Sequence, residues 1–159
     1  AAAAALALGL DLRQVVDGLA AATARSRWRM ELHQRDDGVT VLNDAYNANP
    51  DSMRAALEHL AERAGNRRRV AILGEMAELG ESAAAYHQDI GELAAELAIQ
   101  VIGVGERARA YEPATWAADE RGAVEAARSF LRPGDAVLVK ASRALALEGV
   151  APALANEAG

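Results

Sequence analysis

The sequence predicts an α/β fold, a mostly parallel sheet with helices on both faces. Three observations lead there. Short continuous apolar runs at Val70–Leu73, Val101–Val104 and Ala136–Val139 read as strands buried on both sides. Between them lie stretches whose apolar residues recur at helical spacing, and such β-α alternation builds a parallel sheet with right-handed crossovers. The 159 residues are enough for one domain with a single sizeable core. Hydrophobic residues make up 52% but aromatics only 4%, so much of the apolar content is alanine and close helix packing is expected.

In chain order, residues 1–22 read as two short helices. Gly9 breaks the first; Asp11 caps the second, Leu12 to Ala22, with Leu12, Val15, Val16 and Leu19 on one face. Ala1 to Leu10 is apolar but too short to span a bilayer, and lacks the basic lead-in of a signal peptide. The chain is therefore expected to start inside a helix belonging to something upstream. From Arg27 the pattern alternates, Trp28, Met30 and Leu32 against Arg29, Glu31 and His33; with the turn signal Asp36-Asp37-Gly38 this predicts a hairpin over 27–44. Asn49 caps the next helix, with Pro50 in the first position, where a missing N–H costs nothing; Met53, Leu57, Leu60 and Ala64 form its inner stripe. The Val70–Leu73 strand leads into a loop, Gly74 to Glu81. A helix over 82–99 is expected to bury Tyr86, Ile90, Leu93 and Leu97. Ala108 to Ala118 has no clear period. A helix over 119–131 turns Val124, Ala127 and Leu131 inward, and Pro133-Gly134-Asp135 turns the chain into the last strand. The final helix is expected to run from Ser142 and to bend near Pro152.

Composition narrows the function classes. A net charge of −6 and a pI near 5.1 argue against a general nucleic-acid binder. With no cysteine there is neither a disulfide framework nor a thiolate zinc site, which fits a cytoplasmic protein. No apolar run reaches the roughly 18 residues of a membrane span.

The segment Asp44 to Met53 is the most informative in the chain. It joins a strand to a helix, the usual place for a nucleotide or substrate site in an open α/β sheet. The Asp44 carboxylate can accept both hydroxyls of a ribose there. Tyr46 offers a face to a base, and Asn47 and Asn49 offer paired donors and acceptors, although Asn49 taken alone is explained first as a helix cap. Glu75, Glu78 and Glu81 read as a solvated loop and helix start, or as carboxylates for a cation or an ammonium group. His87, beside a buried stripe, reads first as a satisfied structural histidine and second as a ligand. Lys140 and Arg143 together can grip a carboxylate or a phosphate, with Ser142 between them as a helix cap or a ligand. Arg25, Arg27 and Arg29 are the solvated face of a strand by pattern alone. No phosphate-cradling loop is present, and Gly103-x-Gly105 lacks the third glycine of a dinucleotide fingerprint. This chain by itself is not expected to hydrolyse ATP efficiently.

Asp44-Ala45-Tyr46-Asn47-Ala48-Asn49-Pro50-Asp51-Ser52-Met53, Leu73 to Glu81, and Lys140-Ala141-Ser142-Arg143 followed by Leu147-Glu148 resemble signatures of the Mur ligases. These are the ATP-dependent amide-forming enzymes of bacterial cell-wall synthesis. The resemblance runs from about residue 20 to the end. It implies a Rossmann-like C-terminal domain over 23–159, with residues 1–22 as the tail of a preceding central ATPase domain and linker, and a hinge near 22–29. It implies ATP and Mg²⁺, the metal ligands lying in the central domain, and an acyl-phosphate intermediate. The Asn-Ala-Asn form points to D-Ala-D-Ala as acceptor and a UDP-muramoyl tripeptide as the activated substrate. Another amino-acid acceptor, or a free-standing nucleotide-binding module, are the alternatives.

By the same resemblance Asp44 binds ribose, and Tyr46, Asn47 and Asn49 lie on the nucleotide side. Arg29, or Arg27, is the catalytic arginine near the γ-phosphate. Lys140, Ser142, Arg143, Glu75 and His87 are implied to bind substrate. Partners beyond small molecules are the rest of the same chain, in a bacterial cytoplasmic monomer. One departure stands out: Ala141 replaces the family's glycine, and alanine disfavours positive φ.

Overall fold

A computed structural model describes residues 9, 11–20 and 28–156. The expected helix before Gly9, the end of the second helix at Ala22, Arg25, Arg27 and most of the expected hinge lie outside the described residues, as does the side chain of Leu19. The order is α1 (Leu12–Ala20), β1 (Glu31–Gln34), β2 (Thr40–Asn43), α2 (Pro50–Ala64), β3 (Arg69–Gly74), α3 (Ala83–Glu96), β4 (Ile99–Val104), β5 (Thr115–Ala117), α4 (Glu120–Phe130), β6 (Ala136–Lys140) and α5 (Val150–Ala155). The strands form one sheet, β1-β2-β6-β3-β4-β5, with β1 antiparallel to β2 and every other pairing parallel. One core lies under α2 and α3, around Met53, Leu57, Ile90 and Leu138; the other lies under α4 and α5, around Ile72, Ile102, Ala127 and Leu154. The α/β architecture read from the sequence is the one observed. No described helix is long and apolar enough to cross a membrane.

Capping explains the sharpest boundaries. Asn49 Oδ1 accepts from the Ser52 amide at 2.8 Å and Ser52 Oγ accepts from the Asn49 amide at 3.1 Å, a reciprocal box that starts α2 with Pro50 at its first position. At the other ends, Arg69 donates to Leu97 O at 2.7 Å and Gly65 O at 3.0 Å, and Arg67 donates to Ala64 O at 3.3 Å. The basic run 67–69 thus satisfies carbonyls that the C-termini of α2 and α3 leave open, where positive charge also suits the helix dipole.

The structure corrects several details. The hairpin is shorter than expected because Trp28 and Met30 adopt positive φ, 61° and 54°, and stand outside β1. Helix α3 ends at Glu96; Ala98 turns left-handed at φ 53°, and Ile99 already belongs to β4. Of the expected stripe Ile90 is buried and Leu93 and Leu97 pack against the core; His87 and Ala94 are buried with them, and Tyr86 is exposed. On α4 the fully buried residues are Ala123 and Ala127. The unpatterned stretch contains the edge strand β5, three residues long and just past Pro113, too short for alternation to register. After Ser142 come two 3-10 turns, Arg143–Leu145 and Leu147–Gly149, and only then α5. Pro152 lies in the first turn of α5, where it needs no amide partner, so the expected bend does not form there.

Tyr111 fastens the β4–β5 connection to the sheet. It is buried, its hydroxyl donates to Gly74 O at 2.9 Å, and its ring centroid lies 5.0 Å from that of His87. Burial, and secondarily the charge of Glu75, push the phenol well above its usual range. The folded phenol therefore keeps its proton at pH values where the unfolded one has lost it. Its contribution to stability is complete below about pH 10 and declines as pH rises beyond that. Tyr111→Phe should cost about 1–2 kcal/mol near neutrality, because Gly74 O loses its donor, and should flatten the alkaline decline. Urea unfolding as a function of pH checks both.

Candidate functional site

Sheet order places the site. Strands β2 and β6 are parallel neighbours with Asn43 opposite Val139, so Asp44 and Lys140 leave the C-terminal edge side by side although 96 residues separate them. The Asp44 amide donates to Val139 O at 2.8 Å. Lys140, its side chain 3% exposed, ion-pairs through Nζ with Asp44 Oδ2 and donates to Asn47 O at 3.0 Å. A buried ammonium with this pairing is satisfied rather than stranded. The loop owes its shape to its alanines: Ala45 and Ala48 press into the two cores, leaving Tyr46 half-buried and Asn47 exposed.

An open cleft of about 230 Å³ results, lined by Arg29, Asp44, Tyr46, Asn47, Ser52 and Lys140. The Arg29 guanidinium lies 4.1 Å from the Tyr46 ring centroid. Arg143 approaches the same loop, 5.4 Å from the Trp28 centroid and 5.9 Å from that of Tyr46. Among the described residues, Lys140 is the only partner bonded to the Asp44 carboxylate, and it engages one oxygen. The edge thus offers a carboxylate oxygen, two guanidinium groups and an aromatic loop, an arrangement suited to hydroxyls and an anionic group.

Other expected site residues lie elsewhere. Asn49 is occupied as the cap of α2. The carboxylate of Glu75 turns toward the β4–β5 loop, where Oε1 accepts from the Arg107 amide at 3.0 Å, while its carbonyl accepts from the Ser142 amide at 3.2 Å. His87 is fully buried. Its Nε2 accepts from the Met76 amide at 3.0 Å, so Nδ1 carries the proton and donates to Ala83 O at 2.6 Å, leaving neither nitrogen for a substrate. Ser142 is buried, does not line the cleft, and makes no capping bond through its side chain. Ala141 is absent from the positive-φ residues, so this backbone does not demand the family's glycine. Among the described residues no three His, Asp or Glu side chains converge as a metal site.

Residues 28–143 match the family described as Mur ligase, glutamate ligase domain. The chain belongs to the Mur ligase family. It is 46% identical to the UDP-N-acetylmuramoyl-tripeptide–D-alanyl-D-alanine ligase of Mycobacterium tuberculosis strain H37Rv, over 97% of this chain and 36% of that protein. The chain spans about a third of the length of the curated relatives it matches. Among solved structures it is similar to the corresponding D-alanyl-D-alanyl ligase of Acinetobacter baumannii, with a TM-score of 0.83 and 29% identity over 96% of this chain and 34% of the other. It is also similar to MurF of Thermotoga maritima in complex with ADP, with a TM-score of 0.79 and 25% identity over 98% of this chain and 36% of that one.

Sequence reasoning assigned no role in this Mur ligase domain to Ser52 or Trp28. Ser52 stood in the 44–53 signature, and its place in the capping box explains why it also borders the cleft. Trp28 had no signal, because its neighbour Arg143 is 115 positions away along the chain.

Proposed function

We propose that the full-length protein joins D-Ala-D-Ala to UDP-N-acetylmuramoyl-tripeptide at the expense of ATP, and that this domain closes over the nucleotide and shapes part of the dipeptide pocket. The observation that carries the reading is the convergence of Arg29, Asp44 and Lys140 in one cleft on the 44–53 signature. In support, the relatives bear that ligase name over nearly the whole of this chain, and the Thermotoga maritima neighbour was solved with ADP.

In this reading the free oxygen of Asp44 accepts ribose hydroxyls, with Asn47 beside it and Asn49 fixing the helix below. Lys140 holds Asp44 and the loop in place. Arg29 offsets charge growing on the phosphoryl group as the peptide carboxylate becomes an acyl phosphate. Attack by the dipeptide amine then forms the amide and releases phosphate. Arg143 and Ser142 border the dipeptide carboxylate; Glu75 and His87 support the loops instead of touching substrate. Residues 1–22 belong to the preceding central domain, a reading supported by the exposed apolar side chains of Leu12 and Val16 on α1. Mg²⁺ ligands are assigned to that domain. The protein works as a cytoplasmic monomer.

Phosphate release by the full-length protein tests this. With ATP and UDP-muramoyl tripeptide, release should depend on D-Ala-D-Ala and fall about 10- to 100-fold in kcat/KM in Asp44→Ala, chiefly through KM for ATP. Release indifferent to the dipeptide rejects the acceptor; release unchanged in Asp44→Ala rejects the site.

A further inference from the structure

Tyr46 invites reading as a platform for the nucleotide base, yet its ring is already engaged. The Arg29 guanidinium sits 4.1 Å from the ring centroid, within stacking distance, and Arg143 lies 5.9 Å away. Arg143 is also 5.4 Å from the Trp28 ring, so the residues run as a ladder, Arg29–Tyr46–Arg143–Trp28. The backbone is tied at the same place, since the Tyr46 amide donates to Trp28 O at 3.2 Å. On either side of Arg29, Trp28 and Met30 take positive φ, which bulky side chains rarely adopt. Such outliers persist where surrounding contacts over-determine them. A planar guanidinium stacked on an aromatic face loses much of its rotational freedom, which an unstacked surface arginine keeps.

We propose that Tyr46 is a positioning residue that holds Arg29 over the cleft, and not a base-stacking surface. The inference rests on the ligase reading for its kinetic consequence, but not for the contact itself. Arg29, exposed and at the start of the domain, needs an external support to stay aimed at the cleft that Asp44 and Lys140 border. The ring supplies the support from the 44–53 loop, so the arginine and the nucleotide loop move as one body. Arg143, reaching the ring and Trp28, couples the Lys140–Arg143 loop to the same body.

The test uses Tyr46→Leu, Tyr46→Phe and Arg29→Lys in the full-length protein, with circular dichroism to establish folding. Tyr46→Leu should lower kcat about 3- to 30-fold with KM for ATP nearly unchanged, the range a cation–π contact of ordinary strength allows. Tyr46→Phe, which keeps the ring face, should restore most of kcat; Arg29→Lys, which keeps charge but not the planar stack, should behave like Tyr46→Leu. Independently of turnover, NMR should find the Arg29 side-chain protons shifted by the ring current in the unsubstituted protein and in Tyr46→Phe, and unshifted in Tyr46→Leu. A rise in KM for ATP at constant kcat would show base stacking and overturn the proposal, as would unshifted Arg29 protons in the unsubstituted protein. If the unsubstituted protein shows no dipeptide-dependent turnover, the ligase reading fails, and the ring-current shift alone still decides whether Tyr46 holds Arg29.

Discussion

Lys140→Ala should produce the largest combined loss, about 3 kcal/mol of stability and on the order of 100-fold or more in kcat/KM for ATP. The lysine side chain is 3% exposed and that of Asp44 16%, so water reaches the pair poorly. Truncating the lysine removes one hydrogen bond to Asn47 O and leaves a partly buried carboxylate without its cation. The second effect dominates, because breaking a buried pair from one side leaves the full desolvation cost of the remaining ion. The double substitution Asp44→Asn with Lys140→Met separates the two quantities. It removes both charges, so most of the lost stability should return and the pair should show a coupling energy of roughly 2 kcal/mol. The kcat/KM for ATP should stay low, since the carboxylate proposed to hold the ribose and its support are both gone. Urea unfolding gives the stability terms, and phosphate release by the full-length protein gives the rates. Recovery of kcat/KM in the double variant would mean that the pair is structural only.

The contrast between Lys140 and His87 marks how far the sequence could be read. Strands β3, β4 and β6 announced themselves because residues buried on both faces leave short apolar runs; Lys140 ends the last of these, and Asp44 directly follows β2, the second arm of the expected hairpin. Once the fold was α/β, their meeting at one edge needed only that β2 and β6 be neighbours. His87 carried the same kind of resemblance, but its role depends on which side of α3 faces inward. At the first turn of that face the core takes His87 in place of Tyr86, which places both ring nitrogens on backbone groups. Glu75 was legible as a loop carboxylate and illegible in direction, because its partner Arg107 lies beyond another helix and strand. The ladder that ends at Trp28 was hidden for the same reason. Alternation placed Trp28 and Met30 in a strand, and the positive φ that removes them carries no signature in residues other than glycine and asparagine.

Gly74→Ala should cost about 2–3 kcal/mol although no unusual backbone angle requires glycine there. A Cβ at this position would lie 2.5 Å from Ala141 Cβ, 2.8 Å from Leu145 Cδ1 and 3.0 Å from Leu147 Cδ1. The tip of the half-buried Leu145 can rotate away; Ala141 Cβ cannot, being fully buried on a backbone fixed by Lys140 on one side and by the Ser142–Glu75 bond on the other. Relief must come from moving the 140–143 loop. A displacement on the order of 1 Å there would carry Lys140 and Arg143 off their partners and cost turnover up to about 100-fold. Ala141 occupies the position where the family pattern has glycine, which gives the decisive variant. Gly74→Ala combined with Ala141→Gly exchanges the two methyl groups across the same contact, leaving only the ends of Leu145 and Leu147 to adjust. It should regain more than half of the lost stability and most of the turnover. Ala141→Gly alone should cost only about 1 kcal/mol, through the small cavity and the freer unfolded chain. If the exchange rescues stability without rescuing turnover, Ala141 contributes to the site directly. If it rescues neither, the contact between the two strand ends is not what makes glycine necessary at 74.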